Sequence, residues 1–328
     1  MAFSYGLQSQ TLDKSLQLKQ IAVVKTNFRN LKSGEMVNKT YAFDNGKLTT
    51  IKTSDVTQSF FYNKKGLLDH TVKDRNGSNW KEVISYGYDA EDRLILFTKK
   101  YDEDGKFVTK TVTYTYDGSR IKQVTKKSTT QQLFVEEVDF VVENGKVVRR
   151  SVRDRNKQII HKTEFYYDKE NQTKQTGLLG DKTIKYFGYD DKESANLLMV
   201  KNIFGPNYQV IVPLVSFQEE EFEFTFISPN NELKFTSTAN TIVRAGTFKY
   251  NAQNYPASYS LIEDSGMIKT VKTYTYEWFF WQVISHEFSN FLNQTNKNSR
   301  IRGSLFLPSS KNNLRICGPF ILQIPIYV

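Results

Sequence analysis

Cysteine is almost missing: Cys317 is the one thiol in 328 residues, so no disulfide can form within the chain. Histidine is nearly as scarce. His70, His161 and His286 show no metal-ligand spacing, and no metal site is expected. No stretch approaches the roughly 18 apolar residues of a membrane-crossing helix, so no transmembrane helix is expected. The chain has no phosphate-cradling glycine loop and no Gly-x-Ser-x-Gly elbow. These absences argue against an enzyme and leave no cofactor to expect. Hydrophobic residues make up only 39% of the chain, while aromatics reach 14% and carry an unusual share of the apolar surface. Thin layers suit tyrosine, which can bury its ring and keep its hydroxyl wet.

The formal net charge is +10. Along most of the chain Lys and Arg are interspersed with acids at each turn, unlike the clustered basic face of a nucleic-acid binder, so no nucleic acid is expected as partner. Attraction to an anionic cell surface or polysaccharide fits the charge better. Residues 278–328 are nearly free of acids: Lys297, Arg300, Arg302, Lys311 and Arg315 face Glu287 alone.

What the chain does have is a repeat. Tyr41-x-Phe43-Asp44, Phe60-x-Tyr62-Asn63, Tyr86-x-Tyr88-Asp89, Tyr114-x-Tyr116-Asp117, Phe165-x-Tyr167-Asp168, Phe187-x-Tyr189-Asp190, Phe248-x-Tyr250-Asn251 and Tyr274-x-Tyr276-Glu277 share one pattern. Phe140-x-Val142-Glu143 and Phe224-x-Phe226 are degraded copies. A period near 25 residues marks a repeat protein. Residues 82–117 show the unit. Ile84, Tyr86 and Tyr88 alternate with Val83, Ser85 and Gly87, which is strand periodicity. Turn signals such as Asp44-Asn-Gly46, Asp117-Gly118 and Glu143-Asn-Gly145 close hairpins.

The prediction is therefore all-β: an elongated antiparallel β-meander of about ten two-strand repeats, roughly 18–20 strands, in a single coiled or curved sheet. Leu68, Leu94, Ile121 and Val148 are expected to fill the gaps between aromatic pairs, with a Thr/Ser/Lys face outside.

Four segments follow from this reading. Residues 1–36 form an N-terminal segment leading into a first strand. Met1–Leu7 reads either as the end of a secretory signal, with the mature chain starting near Gln8–Gln10, or as an ordinary N-terminus. Residues 37–195 form the first repeat block. Residues 196–277 hold an insertion or bend, since the interval from Tyr189 to Phe226 widens to 37, and then a second block. Residues 278–328 form a non-repeat tail, either a cap on the last open strand edge or non-native sequence.

Tyr86-Gly-Tyr-Asp-Ala-Glu-Asp-Arg-Leu94, Tyr114-Thr-Tyr-Asp-Gly-Ser-Arg-Ile121 and Tyr62-Asn-Lys-Lys-Gly-Leu-Leu68 resemble YD repeats of the RHS type, whose unit runs Tyr-x-Tyr-Asp-x-x-Gly-Arg-Leu. Most copies here lack the Gly-Arg pair. The resemblance implies β-strand spirals in bacterial secreted or surface proteins, similar to short YD-like secreted proteins and lipoproteins of Bacteroidota. The implied location is secreted, periplasmic or at the outer cell surface.

The leading functional expectation is a non-catalytic scaffold or binding protein, with a surface glycan or another surface protein as partner. The aromatic ladder supplies the candidate ligand-binding residues: Tyr86, Tyr88, Tyr114, Tyr116, Tyr167, Tyr189, Tyr250 and Tyr276. Sugars stack on such rings, although the same rings can serve as core. A carboxylate-dependent glycoside hydrolase is the alternative from another class; it needs two acids about 5–9.5 Å apart in a cleft. The acid-rich turn at Asp89–Asp92 is read as turn chemistry rather than a calcium loop.

Overall fold

The computed structural model describes residues 14–27, 35–103, 106–128, 133–216, 228–238, 243–263 and 268–280. All of them fall in the first of two units, Met1–Phe280. The Phe224-x-Phe226 copy and the tail beyond Phe280 lie outside the described residues.

Fourteen strands come first: β1 Lys14–Asn27, β2 Glu35–Asp44, β3 Lys47–Lys52, β4 Val56–Tyr62, β5 Leu68–Arg75, β6 Lys81–Tyr88, β7 Leu94–Glu103, β8 Lys106–Asp117, β9 Arg120–Ser128, β10 Leu133–Glu143, β11 Lys146–Arg153, β12 Ile159–Asp168, β13 Asn171–Leu179 and β14 Ile184–Glu193. Two helices follow, α1 Ala195–Phe204 and α2 Tyr208–Ser216, joined by a 3₁₀ turn at Gly205–Asn207. Four strands complete the chain: β15 Asn230–Ser237, β16 Val243–Tyr250, β17 Pro256–Glu263 and β18 Ile268–Phe280.

The sheet has 18 strands, and each pairs antiparallel with its neighbours in sequence order. It also closes. β1 pairs with β18 from Lys14↔Phe280 to Asn27↔Ile268, and with β2 on its other side. This corrects the expectation of an elongated, coiled or curved open sheet: the meander is a closed β-barrel. Closure removes the two exposed edges that a sheet of this size would otherwise present.

The repeat builds one kind of hairpin. In the three-residue-plus turns, the acid or amide of the motif folds the loop. Asn63 Oδ1 accepts the N–H groups of Lys65 and Leu67, each at 3.0 Å. Asp89 Oδ1 accepts those of Glu91 (3.1 Å) and Arg93 (2.9 Å). Asn251 does the same for Gln253 and Tyr255 at 3.0 Å. The shorter Asn45-Gly46 and Asn144-Gly145 turns have positive φ at both residues, 49° and 71°, then 51° and 73°. That is the geometry two-residue hairpins need.

Just inside the turn a bulge recurs. The register shifts at Phe43, Tyr62, Tyr88, Val142, Tyr167 and Tyr250 against the returning strand. Each bulge bends its strand and increases twist, which favours curvature into a barrel. It also moves one residue out of register. Leu68, Leu94 and Ile121 face inward as expected, but on β11 the buried residue is Val147, at 0% exposure, rather than Val148.

Alternation then sorts the two faces. Tyr41, Phe60, Tyr86, Tyr114, Phe140 and Phe165 are buried in one core cluster. The opposite face holds ion pairs: Arg149 with Glu164 (3.2 Å), Arg153 with Asp139 (2.6 Å), and Lys122 with Glu137 (3.5 Å).

The insertion after β14 is the part of the core that comes from no strand. Ser194 starts α1, its hydroxyl accepting the Asn196 N–H at 3.2 Å. Gly205 ends it at φ +66°. Ile211, Val212, Leu214 and Val215 of α2 are fully buried. A helix apolar on every side must be enclosed, and this pair joins the inward-facing strand residues in the core. Phe204 meets Tyr86 edge-on at 6.2 Å, and the Tyr114 hydroxyl donates to the Leu214 carbonyl at 3.2 Å. Asn202 donates to the Gly46 carbonyl (2.9 Å) and Asn207 to that of Glu91 (2.9 Å), so the helices are fastened to the hairpin turns.

Candidate functional site

The structure gives most of the tyrosine ladder mechanical partners. Tyr86 and Tyr114 are 6% and 4% exposed, packed against the helices. The second tyrosine of each motif donates its hydroxyl to a carbonyl at the start of the preceding strand. Tyr88 bonds Leu68 (2.9 Å), Tyr116 bonds Leu94 (2.9 Å), and Tyr167 bonds Val147 (2.8 Å). Tyr189 bonds Gln172 (2.7 Å), and Tyr276 bonds Pro256 (2.9 Å). Tyr62, outside the predicted set, does the same to Leu48 at 2.7 Å. Tyr250 departs from the pattern and donates to the Asp190 carboxylate. Burial, above all, pushes the Tyr88, Tyr116, Tyr167 and Tyr276 hydroxyls above the ordinary phenol range, which keeps them protonated donors.

A cation covers three of these rings. Lys47 lies over Tyr62 at 4.6 Å, Arg93 over Tyr116 at 4.8 Å and Lys146 over Tyr167 at 5.9 Å. In each case the cation immediately precedes the residue whose carbonyl accepts that tyrosine's hydroxyl. This is a physical reason for an Arg-Leu pair at the turn exit: one residue covers the next tyrosine ring and the other takes its hydrogen bond.

Eighteen strands enclose more space than their side chains fill. The helices occupy part of it. A cavity of about 630 Å³ remains along the inner face of β13–β18 and β1, with the first turn of α1 at its edge. That volume falls in the usual range for small-molecule sites.

Its lining is chemically mixed. Phe187, Phe235, Phe248, Tyr259 and Tyr274 supply rings. Phe187 and Phe235 lie 5.4 Å apart, and Phe248 and Tyr259 lie 4.5 Å apart. Tyr259 packs flat over Gly246, where a Cβ would come within 2.1 Å of the ring. Gln172, Gln175, Asn230 and Asn231 supply amides. Asn231 is 3% exposed, and the Asp190 carboxylate holds both its backbone N–H (3.1 Å) and its side-chain amide (3.2 Å). Gln172, 2% exposed, has an Nε2 donor with no hydrogen-bond partner among the described residues. Lys25, Lys185 and Lys272 supply positive charge, and Glu232 is the one acid in the lining among the described residues.

Of the eight predicted residues, Tyr189 alone lines this cavity. Periodicity favoured the motif tyrosines. The cavity draws instead on the first aromatic of the late motifs, Phe187, Phe248 and Tyr274, and on lysines about 90 to 250 residues apart in sequence. The alternation on β1, β14 and β18 was the available signal for Lys25, Lys185 and Lys272, but it says nothing of closure. Among the described residues, no three His, Cys, Asp or Glu side chains converge as metal ligands. No described helix is long and apolar enough to cross a membrane.

No protein-family model matches the chain, and no curated protein matches it. Among solved structures, it is similar to a porin-like protein from Bacteroides uniformis, with 10% identity and a TM-score of 0.43 over 79% of this chain and 98% of that one. A porin-like protein from Bacteroides vulgatus is similar at 8% identity and a TM-score of 0.37, over 80% of this chain and 99% of that one. A TcdB2–TccC3–Cdc42 complex is similar at 15% identity and a TM-score of 0.31, over 54% of this chain and 12% of that one.

Proposed function

We propose that the protein is a non-catalytic binding protein that holds a small ligand inside its barrel and works in water. The observation that carries this reading is the 630 Å³ cavity, a partly open space that rings and amides line together. Among the described residues the lining contains one carboxylate, Glu232, whereas carboxylate-dependent glycoside hydrolysis needs a pair. Binding is therefore the better-supported use of the site.

The outer wall supports the aqueous setting. A membrane-spanning barrel carries an outward apolar band about 25 Å tall, and Lys or Arg at its midplane costs about 2–4 kcal/mol each. Here Lys122, Arg149 and Glu164 point outward from strand interiors and form ion pairs. Secreted, periplasmic or surface-exposed locations all suit such a wall, in line with the YD-type resemblance. The Asx-folded turn, the tyrosine hydroxyl on the strand start and the cation over the ring support reading the repeat as YD-type.

A thermal-shift screen of mono- to tetrasaccharides and other small solutes tests ligand binding. Thr270 lines the cavity from β18, and Thr270→Trp places a bulky ring in it that should obstruct a ligand. A ligand should raise the melting temperature of the natural chain and not that of Thr270→Trp. A shift that survives the substitution would place binding elsewhere. Flotation with phosphatidylcholine vesicles tests the setting: the barrel should stay in the aqueous fraction, and co-flotation would overturn that part of the reading.

A further inference from the structure

Inside and outside differ in how charge is arranged. On the outside, Lys122, Arg149 and Arg153 meet Glu137, Glu164 and Asp139. Inside, acids are fewer. Lys99 contacts Glu82 at 2.8 Å, with side-chain exposures of 17% and 6%. Lys127 stands 5.9 Å from the Tyr101 ring and Lys39 stands 5.0 Å from Tyr41. Arg150 lies in the same interior, where burial, opposed by the Glu136 charge, lowers its pKa from the usual guanidinium range. Around the cavity itself, Lys25, Lys185, Lys272 and Glu232 are the charged side chains among the described residues. Positive side chains that line one cavity attract an anion brought between them.

The rest of the lining narrows the chemistry. Flat rings offer stacking surfaces to the apolar faces of sugars. Amide side chains both donate and accept hydrogen bonds, as sugar hydroxyls do. A fatty acid would leave the amides without partners, and an inorganic anion would leave the rings without one.

We propose that the cavity takes an acidic oligosaccharide. Its sugar rings lie against Phe187, Phe248 and Tyr259, and its carboxylate or sulfate groups lie on Lys25, Lys185 and Lys272. This rests on the reading of the lumen as a binding site and adds the ligand's class to it. It also gives the basic composition a role: part of the excess positive charge faces the ligand.

Isothermal titration tests the assignment with trigalacturonate as acidic probe, maltotriose as neutral probe and sodium sulfate as free anion. Charge-assisted hydrogen bonds are the strong ones, so trigalacturonate should bind about tenfold or more tightly than either control. Lys25→Gln/Lys185→Gln/Lys272→Gln should lose that advantage. Without ligand it should still melt in one cooperative transition, which separates loss of the charges from loss of the fold. Equal binding of maltotriose would overturn the anionic assignment while leaving the lumen as a site, provided Thr270→Trp abolishes both. Equal binding of sulfate would overturn the saccharide assignment. Failure of trigalacturonate to bind would overturn the proposal as a whole, and the broader ligand screen against Thr270→Trp would then judge the lumen independently.

Discussion

The barrel wall from β2 to β12 and the wall from β13 through β18 to β1 are made from the same hairpin and have different fates. On the first wall the leading aromatics Tyr41, Phe60, Tyr86, Tyr114, Phe140 and Phe165 are all buried. On the second, their counterparts Phe187, Phe248 and Tyr274 are partly exposed and line the cavity. The strand motif is common to both, so it cannot be the cause. The difference is what lies opposite. α1 and α2 pack on β1, β3 and β11 and send Phe204 and Leu214 to Tyr86 and Tyr114. The motif builds a wall; the insertion between β14 and β15 decides which part of that wall becomes core and which becomes site.

The sharpest way to break the comparison is to remove the helix contact. Phe204 is fully buried, and Phe204→Ala should cost about 3–5 kcal/mol of unfolding free energy in urea. Phe248→Ala, on a half-buried ring at the cavity, should cost less than half as much while weakening ligand binding. Equal costs would mean that both walls are core. Next in size is Gly246→Ala. The added methyl would meet the Tyr259 ring at 2.1 Å and push it from its seat, at about 1–3 kcal/mol, with loss of binding. A crystal structure with Tyr259 unmoved would refute that account.

A smaller effect should be identical on the two walls. Tyr88→Phe and Tyr276→Phe each delete one hydroxyl bonded to a strand-start carbonyl at 2.9 Å. Each should cost about 0.5–1.5 kcal/mol. A large difference between them in chemical denaturation would show that the tyrosine bond is not one repeated device.

The extent to which the sequence revealed this follows from the range of the interactions. Tyr88, Asp89 and Leu94 act within one hairpin, so the repeat, the turns, the inward aromatics and a strand number near eighteen could all be read from period and turn chemistry. Closure depends on β1 meeting β18, with Lys14 against Phe280. Nothing local to either strand announces that contact. The one-residue bulges, such as Val148 between Val147 and Arg149, arise from turn geometry that period two does not encode. The helices did leave a local trace, Ser194 before an apolar run and Gly205 after it, but Pro213 and the lengthened interval suggested a bend instead. The cavity lysines stay invisible until the ring is closed, because they come from three different stretches of chain.

The smallest expected effect separates Asp from Asn at the turn that both walls share. Asp89 on the first wall and Asn251 on the second fold their loops through the same two N–H bonds. Asp89 has in addition the Arg93 guanidinium at 2.7 Å. Burial pushes the Asp89 carboxyl upward, but the hydrogen bonds and charge of Arg93, with the Glu91 N–H, outweigh it and hold its pKa below the ordinary value. A depressed folded pKa stabilises fully above the unfolded value of about 3.9 and is lost as pH falls through the folded one. Asp89→Asn keeps both loop bonds and loses only the charge, so it should cost a few tenths of a kcal/mol at pH 7. That difference should shrink toward zero as the pH is lowered below about 4. Asn251→Ala, in contrast, should cost the same at both pH values, since an amide has no proton to gain there. If the cost of Asp89→Asn is as flat with pH as that of Asn251→Ala, the Arg93 contact adds nothing and the two turns are energetically the same.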